Sequence, residues 1–182
     1  RFTDEVIDRA LRRMPPEWYA MGGAKTAAAL RARRASLVDY VMRVYRFYAK
    51  DVDIHASNQA ERVTIARGAD NSLEVTVAVT GASAPSYRRR FLPDATDEVR
   101  VYLHDGDDRV ERSGPSGGPI RVRVIAGGGR DVVDDAKSGG TDVWTDAGSV
   151  DVARGPGTNV RTTSWMNPAP VKDAPWIEPR NF

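Results

Sequence analysis

Apolar positions recur at helical spacing up to about residue 50, and from Val52 onward they alternate as in strands. Thr3 reads as an N-cap ahead of Asp4 and Glu5, with Val6, Ile7, Ala10, Leu11 and Met14 on one helical face. Pro15 and Pro16 are expected to stop that helix. Glu17 to Gly23, carrying Trp18, Tyr19 and Met21, reads as a packed loop whose Gly22-Gly23 pair separates the first helix from a second over Ala24 to Arg34. Ser36, with Asp39 three residues on, predicts the cap of a third helix striped by Leu37, Val41, Val44, Tyr45 and Tyr48.

The segments ERVTIAR (61–67), SLEVTVAV (72–79) and YRRRF (87–91) predict a small antiparallel meander, with Ala69 to Asn71 as its first turn. A repeat follows, VRVYLHDGDDRV, IRVRVIAGGGRDVV and TDVWTDAGSVDV, in which Val101, Val122 and Val143 stand 21 residues apart. Two packings fit it. In a parallel solenoid those valines form one column. In a series of antiparallel hairpins, closed at Asp105-Gly106, Gly127-Gly128 and Ala147-Gly148, Val101 faces Val110, Val122 faces Val133 and Val143 faces Val152. Equal spacing of whole units favours stacking. Beyond Val152 the chain turns to Trp165, Pro168, Pro170, Pro175, Trp176 and Pro179, which reads as an extended connector. The expected architecture is α+β: a helical cap over 1–50, a β-rich repeat domain over 51–153 and a connector tail over 154–182.

Composition narrows the partners. The chain has 182 residues, with 27 basic against 25 acidic, a net +2 that is too weak a field to suggest nucleic acid. The RARR cluster at 31–34 reads as a solvated helical face. In the 88–90 arginine run, strand alternation sends Arg88 and Arg90 to one side and Arg89 to the other. There is no cysteine, which removes disulfides, thiol nucleophiles and cysteine-type zinc sites. No apolar run approaches the ~20 residues of a membrane helix, so no transmembrane segment is expected. The start at Arg1, without a signal-peptide pattern, reads as a piece of a larger or processed protein.

No catalytic constellation stands out. AGGGRDVVD (126–134) nearly matches a calcium-binding GGxGxDxUx repeat, and with the preceding unit it nominates Asp105, Asp107 and Asp131 as alternative calcium ligands; the degenerate glycines and the 21-residue period favour structural turns. His55 and His104 are the only histidines, and neither has a partner at ligand or dyad spacing. Asp134 and Asp135 are adjacent, so a strand would point them to opposite faces. Neither a G-x-S-x-G elbow nor a phosphate-binding glycine loop is present. No catalytic residue, cofactor or metal is assigned. An enzyme would require a pocket bringing His104 or His55 within reach of a carboxylate, and a glycan-binding module would require a groove lined by Trp144, Tyr102 and the aspartates.

Taken together, FTDEVIDRALRRMPPEWY (2–19), LRARRASLVDYVMRVYRFYAKDVDIHASNQAERV (30–63), RRRFLPDATDEVRVYLHDGDDRV (88–110) and IRVRVIAGGGRDVVD (120–134) resemble the middle region of large bacterial cell-envelope proteins. Those proteins end in a surface-antigen-type outer-membrane β-barrel, and some carry an upstream kinase-like or phosphoesterase-like domain. The chain departs from the family's glycines at Asp105 and Ala126, which weakens the calcium reading. The resemblance implies a non-catalytic structural or docking module, periplasmic or outer-membrane associated. It would act as a spacer between a head domain and the barrel, toward which NPAPVKDAPWIEP (167–179) would lead, or as a subunit of a membrane assembly. A protein partner or membrane-embedded assembly is implied.

Overall fold

The computed structural model describes residues 2–145 and 149–165. The chain divides into two compact units, Arg1–Lys50 and Asp51–Phe182. The first holds α1 (Asp4–Leu11) and α2 (Pro16–Ala49), two helices in place of the three expected. Pro16 opens α2 instead of closing its predecessor, because the first helical turn needs neither the missing N–H nor a free φ. Gly22, Gly23 and Ser36 all lie inside α2. Interior glycine costs about 1 kcal/mol each, and tertiary packing offsets it: Ile7, Leu11 and Ala27 are buried together, with Met14 and Leu30 against them. Arg31 bonds Asp8 at 2.5 Å and Arg34 bonds Asp4 at 2.5 Å, tying α1 to the first half of α2. Gly23 is buried beside Tyr19, whose ring a Cβ would meet at 2.5 Å. Ser36 caps nothing; its hydroxyl donates to the Arg33 carbonyl at 3.0 Å.

The second unit holds β1 (Asp51–His55), β2 (Glu61–Arg67), β3 (Leu73–Val79), β4 (Tyr87–Phe91), β5 (Glu98–Tyr102), β6 (Arg109–Ser113), β7 (Arg121–Ile125), β8 (Arg130–Asp134), β9 (Thr141–Trp144), β10 (Ser149–Ala153) and β11 (Asn159–Arg161). They form two sheets, ordered β1-β5-β7-β9-β11 and β10-β8-β6-β2-β3-β4. From β5 to β11 successive strands alternate between the sheets, so neighbours within each sheet run parallel. The meander is antiparallel, β2 to β3 to β4, and it widens the six-stranded sheet beside the first coil. Its turn falls at Gly68–Ser72, closed at 2.9 Å, with Asn71 at φ 62°.

Alternation buries one side of each strand. The core joins Ile54, Val99, Val101, Val122, Val124 and Val143 of one sheet to Val63, Val110, Val133 and the meander's Leu73, Val75, Val77 and Phe91 of the other. Register differs from the expected column. Val101 aligns with Val124 and then Val143, while Val122 aligns with Val99 and Thr141, so aligned residues are separated by 23 and then 19 positions instead of a constant 21. The hairpin facings also differ, since Val101 and Val110 lie in opposite sheets and Val110 aligns with Val133. Residues 159–161, expected to belong to a connector starting at 154, form β11 and pair with β9 through Arg161. The Ala147-Gly148 turn and the tail from Met166 through Trp176 to Phe182 lie outside the described residues.

Candidate functional site

The loops from β5 to β6 and from β7 to β8, which lead from the five-stranded to the six-stranded sheet, carry glycine and stack closely, the first of them on the β1–β2 loop. A Cβ on Gly127 would lie 1.5 Å from the His104 carbonyl oxygen, and one on Gly106 would lie 2.4 Å from that of Gln59. Such stacking leaves turn N–H groups away from water, and buried N–H groups need acceptors. Carboxylates supply them. Asp131 is 1% exposed and takes the N–H of Asp108 on one oxygen and that of Gly127 on the other, both at 3.2 Å. Asp108, equally buried, takes the N–H of Glu61 at 2.7 Å. Asp107 takes that of Arg130 at 2.9 Å, and Asp105 forms a parallel bridge with Gly128. The carboxylates of Asp107 and Asp131 therefore serve separate backbone groups, and Asp105 joins the stack through its backbone. Among the described residues no three His, Cys, Asp or Glu side chains assemble into a metal-holding group.

Glu61, Asp108 and Asp131 occupy one column across three coils, just before the aligned residues Arg62, Arg109 and Val132. Burial, abetted by the charges of Asp131 and Glu61, pushes the Asp108 carboxyl up to about 7 against the Glu61 N–H it accepts. Burial also raises Asp131, opposed by the N–H groups of Asp108 and Gly127. The Asp108 and Glu61 carboxyls also meet side chain to side chain, and that contact adds to the rise of Asp108. Glu61 Oε1 accepts the N–H of Ser57 at 3.0 Å and also its hydroxyl.

The histidines do find partners. His55 ends β1, aligned with Tyr102 on β5, and His104 follows two residues later in the left-handed region at φ 64°. His55 Nδ1 and His104 Nε2 are 2.9 Å apart, and the Tyr102 ring stacks on His55 at 4.5 Å. Forty-nine residues of chain separate the pair, so spacing alone gives no sign of it. His55 also borders a cleft of about 390 Å³ in which His55, Ser57 and Glu61 face Val77, Val79 and Tyr87 of the meander. Histidine and carboxylate thus share a cleft. Within it His55 pairs with His104, whereas Glu61 pairs with Ser57.

A different surface forms on the outer face of the five-stranded sheet. Register places His55, Tyr102, Ile125, Trp144 and Arg161 in one row across it. Trp165 lies over this row. Its indole N–H donates to the Tyr102 hydroxyl at 3.0 Å, its ring meets Trp144 at 4.9 Å, and the Arg123 guanidinium sits 4.6 Å from its centroid. Trp144 and Tyr102 do come to one face, with Trp165 over them and Arg100 and Arg123 beside it, Arg100 bonded in turn to Asp53 at 3.1 Å.

At the opposite turns the buried charges are Arg67, Arg112 and Asp135, residue types usually read as solvated. Arg67 donates to Ile120 O at 2.7 Å, Arg112 donates to Gly139 O at 3.3 Å and lies 3.5 Å from Asp135, and Asp135 accepts from Thr141 N and the Thr158 hydroxyl. Burial lowers both arginines from their ordinary value. The 88–90 run is distributed as alternation requires: Arg88 bonds Glu74 at 2.9 Å, Arg90 pairs with Asp70, and Arg89 lies over Phe91. Compared with protein-family models, curated proteins and solved structures, the chain matches none.

Proposed function

We propose that this chain is a non-catalytic structural and docking module of a bacterial envelope protein, joining a head domain to a membrane barrel or serving as a subunit of a membrane assembly. One observation carries the docking role. In the second half of α2, Leu37, Val38, Tyr40, Val41 and Tyr45 are between 45 and 68% exposed. From Leu37 to the end of α2 apolar and aromatic side chains predominate, and the charged residues that remain are Asp39, Arg43 and Arg46. A contiguous patch of this kind marks a surface that is covered in use. Tyrosine and arginine are the types that anchor protein interfaces, and two arginines against one acid suit a protein partner with an acidic rim. No helix among the described residues is long and apolar enough to cross a membrane.

The coiled unit suits a spacer. Its sheets are fixed by parallel pairing and by charged side chains that reach from coil to coil, and Trp165 already docks the chain's exit segment on one face. The resemblance of the sequence blocks to envelope proteins supports the same setting. A glycan on the Tyr102–Trp144 row would first have to displace Trp165.

A photo-crosslinking residue at position 45, with the protein in its native cellular setting, tests the reading. The expected result is a single protein adduct that is lost when Arg43 and Arg46 are changed to Glu. Adducts to lipid alone, to a second copy of the chain, or to a protein indifferent to the charge reversal would overturn it.

A further inference from the structure

The stack of coils has two ends, and their outermost strands differ. At the first end stand β1, which carries Asp51 and Asp53, and β4, with Arg88, Arg89 and Arg90 in a row. Charges of one sign along an edge discourage another chain from pairing with it. At the other end stand β10 and β11, which among the described residues pair on one side each, with β8 and with β9. β10 carries a single charge, Asp151, and β11 a single charge of opposite sign, Arg161. The dry interior also thins there. Val133 and Val143 of the preceding strands are wholly buried, whereas Val150, Val152 and Val160, packed against the same core, are only partly so.

We infer that two copies of this chain join end to end at β10 and β11, each covering the edges and the half-open core of the other. The turn Gly155–Thr158, closed at 3.2 Å, reverses the chain between the two strands, so they run in opposite senses across the end. A two-fold axis parallel to the strands therefore sets β11 of each copy beside β10 of the other as an antiparallel pair, and main-chain hydrogen bonds carry both sheets through the junction. Side chains fit the same arrangement. Val152 aligns with the buried Val133 and Val160 with the buried Val143, so both point inward, and a register that sets Val152 against Val160 of the second copy closes the core. That register also sets Asp151 against Arg161 of the second copy on the outer side, and the two-fold forms this ion pair twice. Both residues are exposed, and within one copy they lie in opposite sheets, so each is left for the other copy. Nothing in this inference depends on what docks on α2.

Sedimentation equilibrium of the full chain tests it. A monomer–dimer equilibrium is expected. Asp151→Arg or Arg161→Asp alone should weaken the dimer by about tenfold or more, since each replaces two opposite-charge pairs with two like-charge ones. Mixing the two variants should restore it. In the mixed dimer the introduced arginine meets the introduced aspartate at one junction, and the native Arg161 meets the native Asp151 at the other. The double variant, with both charges exchanged, should likewise dimerise with itself, and far-UV circular dichroism of every variant should match the parent. The inference is overturned if the chain stays monomeric up to about 0.1 mM, if association runs past the dimer as a head-to-tail contact would make it, if the dimer is indifferent to both reversals, or if neither the mixture nor the double variant associates better than the single variants do.

Discussion

Replacing Asp108 with Asn should raise the stability of the β unit near neutral pH and remove a pH dependence that the parent shows. Asp108 Oδ1 accepts the Glu61 N–H, and an asparagine carbonyl can keep that bond. The Asp108 carboxyl also meets that of Glu61 side chain to side chain, and there the new amide NH2 can donate in place of the carboxyl's proton at every pH. The carboxyl ionises near its ordinary 3.8 when the chain is unfolded and at about 7 when folded. Between those values the folded chain holds a proton that the unfolded chain has released. The contribution of this proton to stability therefore falls as pH rises through the window and is gone above about 7. The whole span corresponds to about 4 kcal/mol, more than half of it between pH 5 and pH 8. Urea denaturation followed by far-UV circular dichroism at several pH values measures it. The parent should lose about that amount relative to Asp108→Asn on going from pH 5 to pH 8. Asp131→Asn should be destabilising by about 1–3 kcal/mol, because both oxygens of Asp131 already accept N–H groups and one would become a donor. Parallel pH profiles for parent and Asp108→Asn, or a gap that widens toward acid, would refute the assignment of a buried, charge-crowded carboxyl.

Three further outcomes are expected. Gly127→Ala should cost more than about 3 kcal/mol because its Cβ lands on the His104 backbone, whereas Gly22→Ala, with nothing within 4 Å and a helical backbone, should stabilise α2 by about 0.5–1 kcal/mol; thermal melts of both compare them. Arg112→Met leaves Asp135 buried without its cation and should cost about 3–5 kcal/mol in urea, part of which the double change with Asp135→Asn restores. Calcium chloride and a chelator should leave the melting temperature unchanged, since Asp131 and Asp107 are engaged by backbone N–H groups; a rise with calcium would return these residues to a metal site.

Strands are legible here and their partners are not, for a reason that lies in the pleat. Val99 and Val101 both face inward, so a two-residue slip leaves the buried pattern intact and makes Val101–Val122 indistinguishable from the actual Val101–Val124 pairing. The His55–His104 contact follows once His55 is known to align with Tyr102, and that register is carried by no local signal. The meander was readable because short connections join strands of clean alternation. In the helical unit, glycine and serine inside α2 invite a break by propensity, but the apolar stripe of α1 needs Ala27 and Leu30 on one continuous surface. Charge hides the burial of Arg67, Arg112 and Asp135 from a reading of the sequence, because a turn whose backbone is buried between coils can satisfy it with charged side chains.

Two opposite rules hold the coils together where no sheet ladder runs. At one set of turns acids reach back, Asp131 to Asp108 N–H and Asp108 to Glu61 N–H; at the other set Arg67 and Arg112 reach forward to the carbonyls of Ile120 and Gly139 in the next coil. Each reach crosses to a neighbouring coil, so the first acid of the backward series, Glu61, has no coil behind it to reach. Its carboxylate turns instead onto Ser57 of its own coil and meets the Asp108 carboxyl of the next. Adding a further coil before β1 should draw Glu61 back to accept an N–H from that coil, as Asp108 accepts the N–H of Glu61.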